Sequence, residues 1–206
     1  MLPTLLADGG PVIWLIVAAA AAAAVVFVER ALYCHRSQIN SAEFLNGVRT
    51  VIKRGNVVEA IAICDATAGP VSRLVKVAIL ARELGRVRVR EAVEEAGSAE
   101  VPRLEEKLNL LATIAQIAPL LGLFGTVLGF MDVFGRIEQA GLYAHIQMLS
   151  HDVWKSLICA GAGIAVAIPA HAGYNYLISR VNKVVLDMER AAAEIVNIVT
   201  ENGNGK

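Results

Sequence analysis

Three long apolar segments that contain no charged residue constrain this 206-residue chain more than any other feature of its sequence. They cover residues 11–28, 108–131 and 156–178. Even the shortest would span about 27 Å as an α-helix, close to the roughly 30 Å thickness of a bilayer's hydrocarbon core. A soluble bundle with three buried helices is the alternative, but uncharged segments of this length argue against it. We therefore predict an all-α membrane protein with three transmembrane helices.

The first apolar segment could instead be a cleaved signal peptide. No Lys or Arg precedes it, and it is long for the apolar core of a signal peptide. We therefore expect this segment to be retained as the first transmembrane helix.

The basic residues are unevenly distributed among the polar segments. Thirteen lie in residues 29–107 and four in residues 179–206, whereas residues 132–155 have two and residues 1–10 have none. Cytoplasmic segments of membrane proteins carry an excess of Lys and Arg. This distribution predicts an N-terminus and a 132–155 connection outside the cytoplasm, and a cytoplasmic domain at 29–107 and C-terminus at 179–206.

The predicted cytoplasmic part is helical. Between Gly55, the Gly69-Pro70 pair and Gly97, apolar residues recur at helical intervals. Residues 86–107 alternate Arg and Glu and continue without a clear stop signal into the second span, which predicts one long helix there. Residues 179–206 predict an amphipathic helix that continues the third span and ends in a short polar tail.

Composition argues against several classes of function. Lys plus Arg and Asp plus Glu balance at 19 each, which disfavours a strongly basic nucleic-acid binder. The three cysteines lack the spacing of a zinc site, and no hydrolase or phosphate-binding motif is present. We expect no enzyme activity, metal or cofactor. Polar residues at membrane depth are costly to place there and are therefore the first functional candidates.

Small residues and prolines stand out within the second and third spans. Gly122, Gly125 and Gly129 lie in an apolar helix without a following Lys, which favours close helix packing over phosphate binding. Pro119 and Pro169 are tolerated in membrane helices whose neighbours satisfy the freed carbonyls.

The second span and its approach, PRLEEKLNLLATIAQIAPLLGLFGTVLGFMDVF, and the third, GIAVAIPAHAGYNYLISRVN, resemble the core helices of the MotA/TolQ/ExbB proton-channel family. The three-span ExbB/TolQ branch is the most similar. GGPVIWLI and VERALY around the first span, with GNVVEAIAICDATAGPVSRLV in the loop, extend the resemblance over nearly the whole chain.

The resemblance implies a multi-pass protein of the bacterial inner membrane. It also implies a homo-oligomer, a pentamer, around a single-span ExbD/TolR-like partner, with a TonB/TolA-like protein as a further partner. Such a complex would couple proton motive force to biopolymer transport, either outer-membrane import or envelope maintenance.

The chain departs from the family pattern at two positions. The family has a pore-facing threonine on each of the second and third spans, and an acid near the outer end of the third. Thr126 matches the first threonine, but alignment on AIPA puts Ala160 at the second and Lys155 at the acid. A non-conducting structural scaffold of the same family therefore stays an alternative to a proton channel. A small solute transporter is disfavoured because no inverted repeat is visible.

Two compensations for these departures follow from helical geometry. His171 lies eleven residues beyond Ala160, about three turns on and within roughly 20° of the same face. It could place a titratable group on a proton path with Thr126, or hydrogen-bond to a neighbouring helix. Asp132 and Lys155 could form an ion pair at the outer membrane boundary, or each could reach water separately.

Overall fold

The computed structural model describes residues 10–37, 41–140 and 146–201, and all regular secondary structure within these ranges is helical. The predicted segment 1–10 lies almost entirely outside the described residues, as do the last five residues of the chain. The helices in chain order are α1 (Gly10–Ser37), α2 (Ser41–Lys53), α3 (Val57–Ala66), α4 (Pro70–Leu80), a 3-10 turn (Arg82–Leu84), α5 (Arg86–Glu105), α6 (Leu108–Ala140) and α7 (Ile146–Glu201).

Three of these helices carry segments long and apolar enough to cross a membrane. They are α1, α6 and α7, which contain the three predicted spans. The all-α class and the three candidate membrane helices are therefore confirmed. The third span, the ten residues before it and the residues after it form one helix of 56 residues, Ile146–Glu201.

The chain divides into two compact units. The first, here called the membrane unit, contains the described residues of 10–29 and 107–176; the second, the domain unit, contains those of 30–106 and 177–201. Helices α1 and α7 contribute to both units, so the division does not follow helix boundaries.

In the membrane unit, α1 packs apolar side chains against glycines of α6 and α7. The Phe27 ring lies so close to Gly173 of α7 that a Cβ on that glycine would come within 2.9 Å of the ring. Phe27 also contacts Tyr176, with ring centroids 6.5 Å apart. Near the other end of α1, Val12 approaches Gly125 of α6. Helix α1 thus contacts both of the other membrane helices.

In the domain unit, α4 forms the centre of the core. Its buried Val71, Leu74, Val75 and Ala78 recur at helical spacing on one face. The helix begins at Pro70, whose missing N–H costs nothing in a first turn, after Gly69 in a conformation with φ of 143°. The Gly69-Pro70 pair therefore marks a helix start, as its sequence indicates.

The predicted continuous helix from residue 86 into the second span is wrong. Helix α5 ends at Glu105, Glu106 is extended, and Lys107 adopts a left-handed conformation with φ of 64° before α6 begins. Both residues form ion pairs with α1. Lys107 Nζ lies 2.5 Å from Glu29 Oε1, and Arg30 Nη2 lies 3.0 Å from Glu106 Oε2. Pro102 also removes one amide donor from the end of α5. These tertiary contacts stabilise the break.

The buried thiol of Cys64 on α3 gives a prediction for the domain unit. Burial, followed by the nearby Asp65 carboxylate, raises the pKa of Cys64 to about 11, against a smaller opposing effect of Lys76. Because the thiolate is the reactive form, we expect Cys64 to be alkylated about a hundredfold more slowly at pH 8 than in the unfolded chain. The rate should rise about tenfold per pH unit until the pH approaches that pKa. Peptide mass spectrometry after iodoacetamide treatment measures this; equal rates in the folded and unfolded chain would contradict it.

Candidate functional site

The second and third spans meet along a line of small residues in the membrane unit. This α6–α7 seam consists of Gly122, Gly125 and Gly129 on α6 and Ser156, Cys159 and Gly163 on α7. On both helices the residues follow the same spacing of three and then four, which keeps them on one face. Ser156, Cys159 and Gly163 are buried already in the single chain.

The two backbones approach so closely along the seam that no larger side chain fits. A Cβ at Gly122 would lie 2.8 Å from the Cys159 carbonyl oxygen, and one at Gly163 would lie 2.5 Å from the Ala118 carbonyl oxygen. A Cβ at Gly125 would lie 2.8 Å from Cys159 Cβ, and one at Gly129 would overlap Ser156 Oγ. The glycines singled out in the sequence therefore lie where close packing is tightest. Such contacts replace the hydrophobic effect in holding helices together within a bilayer.

The two prolines lie inside helices that continue past them. Pro119 is within α6 and Pro169 within α7, and neither ends its helix. Pro119 is half-buried, one turn from Gly122, while Pro169 is exposed in the single chain. Neither proline is in the seam itself.

Thr126 lies at the edge of the seam and is half-buried. Its hydroxyl donates to the Gly122 carbonyl oxygen at 2.9 Å and lies 3.4 Å from the Ser156 carbonyl oxygen on the facing helix. Ala160 reaches the same region, because its Cα lies 3.2 Å from the Cβ that Gly122 would carry. The two positions that the resemblance assigns to the family's pore threonines therefore both lie beside Gly122.

His171 lies away from this pair of positions. It is exposed on α7, about 16 Å along the helix axis from Ala160, and its ring centroid is 6.4 Å from that of Tyr174. In the single chain the structure does not bring His171 into contact with Thr126. Its predicted role in a proton path therefore stays a prediction.

At the end of the spans next to the 132–155 connection, here called the connection end, the predicted ion pair is not formed within the chain. Asp132 is exposed and Lys155 half-buried, and no ion pair joins these two described residues. A different pair is present, in which Arg136 Nε of α6 lies 3.2 Å from Asp152 Oδ2 of α7.

The sequence prediction did not identify Asp152, although it is only 9% exposed. The sequence feature that could have identified Asp152 is its spacing from the small residues of the third span. Asp152 lies one turn before Ser156 and therefore on the same stripe of α7 as the seam residues. Within the described part of the chain, no group of three His, Cys, Asp or Glu residues could hold a metal ion.

Comparison with known proteins adds a family match to this geometry. The sequence model of the MotA/TolQ/ExbB proton channel family matches residues 67–190. An ExbB homolog of Methanothermobacter thermautotrophicus is 27% identical over 176 residues, which are 85% of this chain and 62% of that protein. The Tol-Pal system protein TolQ of Haemophilus influenzae is 36% identical over 115 residues, which are 56% of this chain and 50% of TolQ. The chain thus spans only half to three-fifths of the length of these two relatives. The biopolymer transport protein ExbB of Neisseria gonorrhoeae is 26% identical over 184 residues, 82% of this chain and 81% of that protein.

Proposed function

Because the chain belongs to the MotA/TolQ/ExbB proton channel family and has relatives in its ExbB/TolQ branch, we propose that it is the channel-forming stator subunit of an energy-transducing complex. The complex resides in the bacterial inner membrane, with the N-terminus of this subunit in the periplasm and its C-terminus in the cytoplasm. It couples proton motive force to outer-membrane import or envelope maintenance.

The observation that carries this proposal is the position of the Thr126 hydroxyl. It is held by one good hydrogen bond to its own helix and one long bond to α7. A hydroxyl can both donate and accept hydrogen bonds, so a weakly held one can turn toward water or toward a carboxyl group of a partner helix. Polar side chains at membrane depth are costly and usually functional. The Thr126 hydroxyl is therefore suited to a site of proton transfer between water and a carboxyl group.

The proposed assembly is a homopentamer around an ExbD/TolR-like single-span protein, with a TonB/TolA-like protein as a further partner. The seam uses the small residues of α6 and α7 within one chain, so contacts between subunits must use other faces. Helix α6 exposes a set of large apolar side chains that suits such contacts or lipid: Leu120, Leu123, Phe124, Val127 and Phe130. Exposed apolar surface of this extent requires either lipid or neighbouring helices.

A second candidate function is favoured by a specific observation. Ala160 removes the hydroxyl at the second matched position, and Lys155 puts a cation where the family has an acid. A chain with these two residues could keep the scaffold and lose conduction. The two functions differ in one measurable property, the proton flux of the assembled complex.

The proposed role of the Thr126 hydroxyl is tested by measuring proton flux into liposomes under an imposed potential. The liposomes contain the protein and its ExbD/TolR-like partner. We expect Thr126→Val to lower the flux at least about tenfold. This corresponds to an increase of about 1.4 kcal/mol in the activation free energy, similar to the contribution of one hydrogen bond. Valine keeps the shape of threonine, so packing along the seam is retained. The matched control is Thr113→Val on the same helix, whose hydroxyl bonds only within its own helix, to Asn109.

Three outcomes separate the hypotheses. Loss of flux in Thr126→Val with normal flux in Thr113→Val supports the channel. Equal losses in both variants would show a general defect of α6 instead. No flux from the unaltered complex above that of empty liposomes, while a related ExbB complex conducts in parallel, would establish the scaffold.

His171 is tested in the same liposomes. If its imidazole carries protons, His171→Phe should lower the flux severalfold, whereas a His171 that only packs against a neighbour should tolerate the change. Tyr174→Phe is the control, because it keeps the ring that lies beside His171 and removes only a hydroxyl. Normal flux in His171→Phe would remove this residue from the proton path.

A further inference from the structure

We infer that Asp152 is the proton-binding carboxylate at the connection end of the third span, with Arg136 as its counter-ion. This inference rests on the proposed proton conduction and assigns the acid that the family-matched position lacks in this chain. It also differs from the family pattern, because Asp152 lies three residues, nearly one turn, before Lys155.

The burial of Asp152 is the first observation. The residue is 9% exposed in the single chain, although it lies four residues outside the predicted third span. Assembly with further subunits can only reduce that exposure. Placing a carboxylate out of water is costly unless it is paired.

The incomplete pairing of its carboxylate is the second observation. Oδ2 is buried and receives no hydrogen bond, and Arg136 is its ionic partner with a separation of 3.2 Å. The Arg136 side chain is itself 56% exposed. A proton arriving from water could therefore bind Oδ2 while the guanidinium turns to solvent. Release of that proton would restore the ion pair, so the cycle leaves both side chains unchanged.

Asp152 and Thr126 both contact Ser156 at the seam. The Asp152 carbonyl oxygen accepts a hydrogen bond from Ser156 Oγ at 2.8 Å. The Ser156 carbonyl oxygen in turn lies 3.4 Å from Thr126 Oγ1. Both contacts are made to main-chain carbonyl oxygens, and neither includes the Asp152 carboxylate. They place Asp152 and Thr126 beside the same residue of the seam, Ser156.

The other charged groups near this end do not take the place of Arg136. Asp132 on α6 and His151 on α7 are exposed, and Lys155 is half-buried. On α1, residues 10–16 carry no charge. Among the described residues, Arg136 alone lies within ion-pair distance of Asp152.

The test compares proton flux of the reconstituted complex with that of Asp152→Asn, Asp152→Glu and the control Glu138→Gln. Asparagine keeps the size of aspartate but cannot take up the proton, so we expect at least a tenfold loss of flux. Glutamate should retain most of the flux. Glu138 is an exposed acid on the same end of α6 and should be replaceable without effect.

A pH profile separates proton binding from a purely structural ion pair. Arg136→Gln removes the ionic partner and keeps the carboxylate, so the pH of half-maximal flux should change if the protonation of Asp152 takes part in conduction. If the ion pair is only structural, its loss in Arg136→Gln should lower the flux at all pH values and leave the pH of half-maximal flux unchanged. If Asp152→Asn fails to assemble, this profile decides, and an unchanged midpoint overturns the inference.

Infrared difference spectra between low and high pH make the result independent of conduction. A protonated carboxyl band that is present in the native complex and absent in Asp152→Asn supports the inference even if no flux is found, in which case only the proposed function fails. Normal flux in Asp152→Asn overturns the inference and leaves the proposed function standing. Absence of the band from the native complex also overturns it.

Discussion

Replacing Gly163 by alanine is expected to destabilise the protein by about 1–3 kcal/mol, the usual cost of overfilling a packed interior. The added Cβ would lie 2.5 Å from the Ala118 carbonyl oxygen and 2.9 Å from the Gly122 Cα. Both are backbone atoms of α6 and cannot turn aside as the end of a flexible side chain can. The two helices would have to separate along the seam, and the contacts of Thr126 and Asp152 would weaken with them.

The chain provides a matched control for this prediction two residues away. Gly161 lies on the same helix with nothing within 4 Å of the position its Cβ would take. Alanine is the better helix former by about 1 kcal/mol, so Gly161→Ala should be neutral or slightly stabilising. Unfolding of the purified protein in a mixed-detergent titration measures both variants. Equal stability of Gly163→Ala and the unaltered protein would show that the seam can open without cost.

The second large effect is expected at the end of the first span that carries Arg30, when Glu106 is replaced by glutamine. The Arg30 side chain is only 5% exposed, its Nε has no hydrogen-bond partner, and Glu106 is its ionic partner at 3.0 Å. Its other contacts are the Arg103 carbonyl oxygen at 3.3 Å and the Tyr33 ring at 5.4 Å. Glu106→Gln would leave the buried charge without a counter-ion.

We expect this substitution to cost about 2 kcal/mol. Removing one partner of a fully buried pair costs about 3–5 kcal/mol, but Glu106 is 63% exposed, so solvent screens part of the interaction. Glu105→Gln is the control, an exposed neighbour for which the structure shows no ion pair. The double variant Arg30→Met with Glu106→Gln should recover part of the loss, because it removes the charge itself. A Glu106→Gln variant as stable as Glu105→Gln would contradict the prediction.

The sequence was sufficient to predict what depends on local composition. The uncharged segments predicted the three membrane helices, and the Gly69-Pro70 pair indicated a helix start. Glycines of the second span could be assigned to packing because they recur on one face. The sequence did not show that their partner is the third span of the same chain, since a small-residue face is equally suited to a neighbouring subunit.

Features that depend on contacts distant in sequence could not be predicted in this way. The helix break at Glu106 and Lys107 is held by charges on α1, more than seventy residues earlier. In the sequence, Asp152 is one of several polar residues of the 132–155 connection, and only the structure shows its ion pair with Arg136. In both cases the sequence suggests charged residues exposed to water, whereas in the structure these residues form ion pairs with another helix.

The helix break at Lys107 affects how a rotation of a membrane helix about its axis could be transmitted along the chain. Helices α1 and α7 are unbroken from one unit to the other, whereas the third route, from α5 to α6, passes through an extended residue and a left-handed one. A continuous helix resists torsion because every turn is hydrogen-bonded to the next, and α7 extends for about 84 Å. Rotation of the third span about its own axis would therefore turn the residues that follow it in α7, apart from any loss at Pro169, which has no amide donor. Rotation of the second span could instead be absorbed by the backbone angles of Glu106 and Lys107, so that α6 could turn while α5 stays in place.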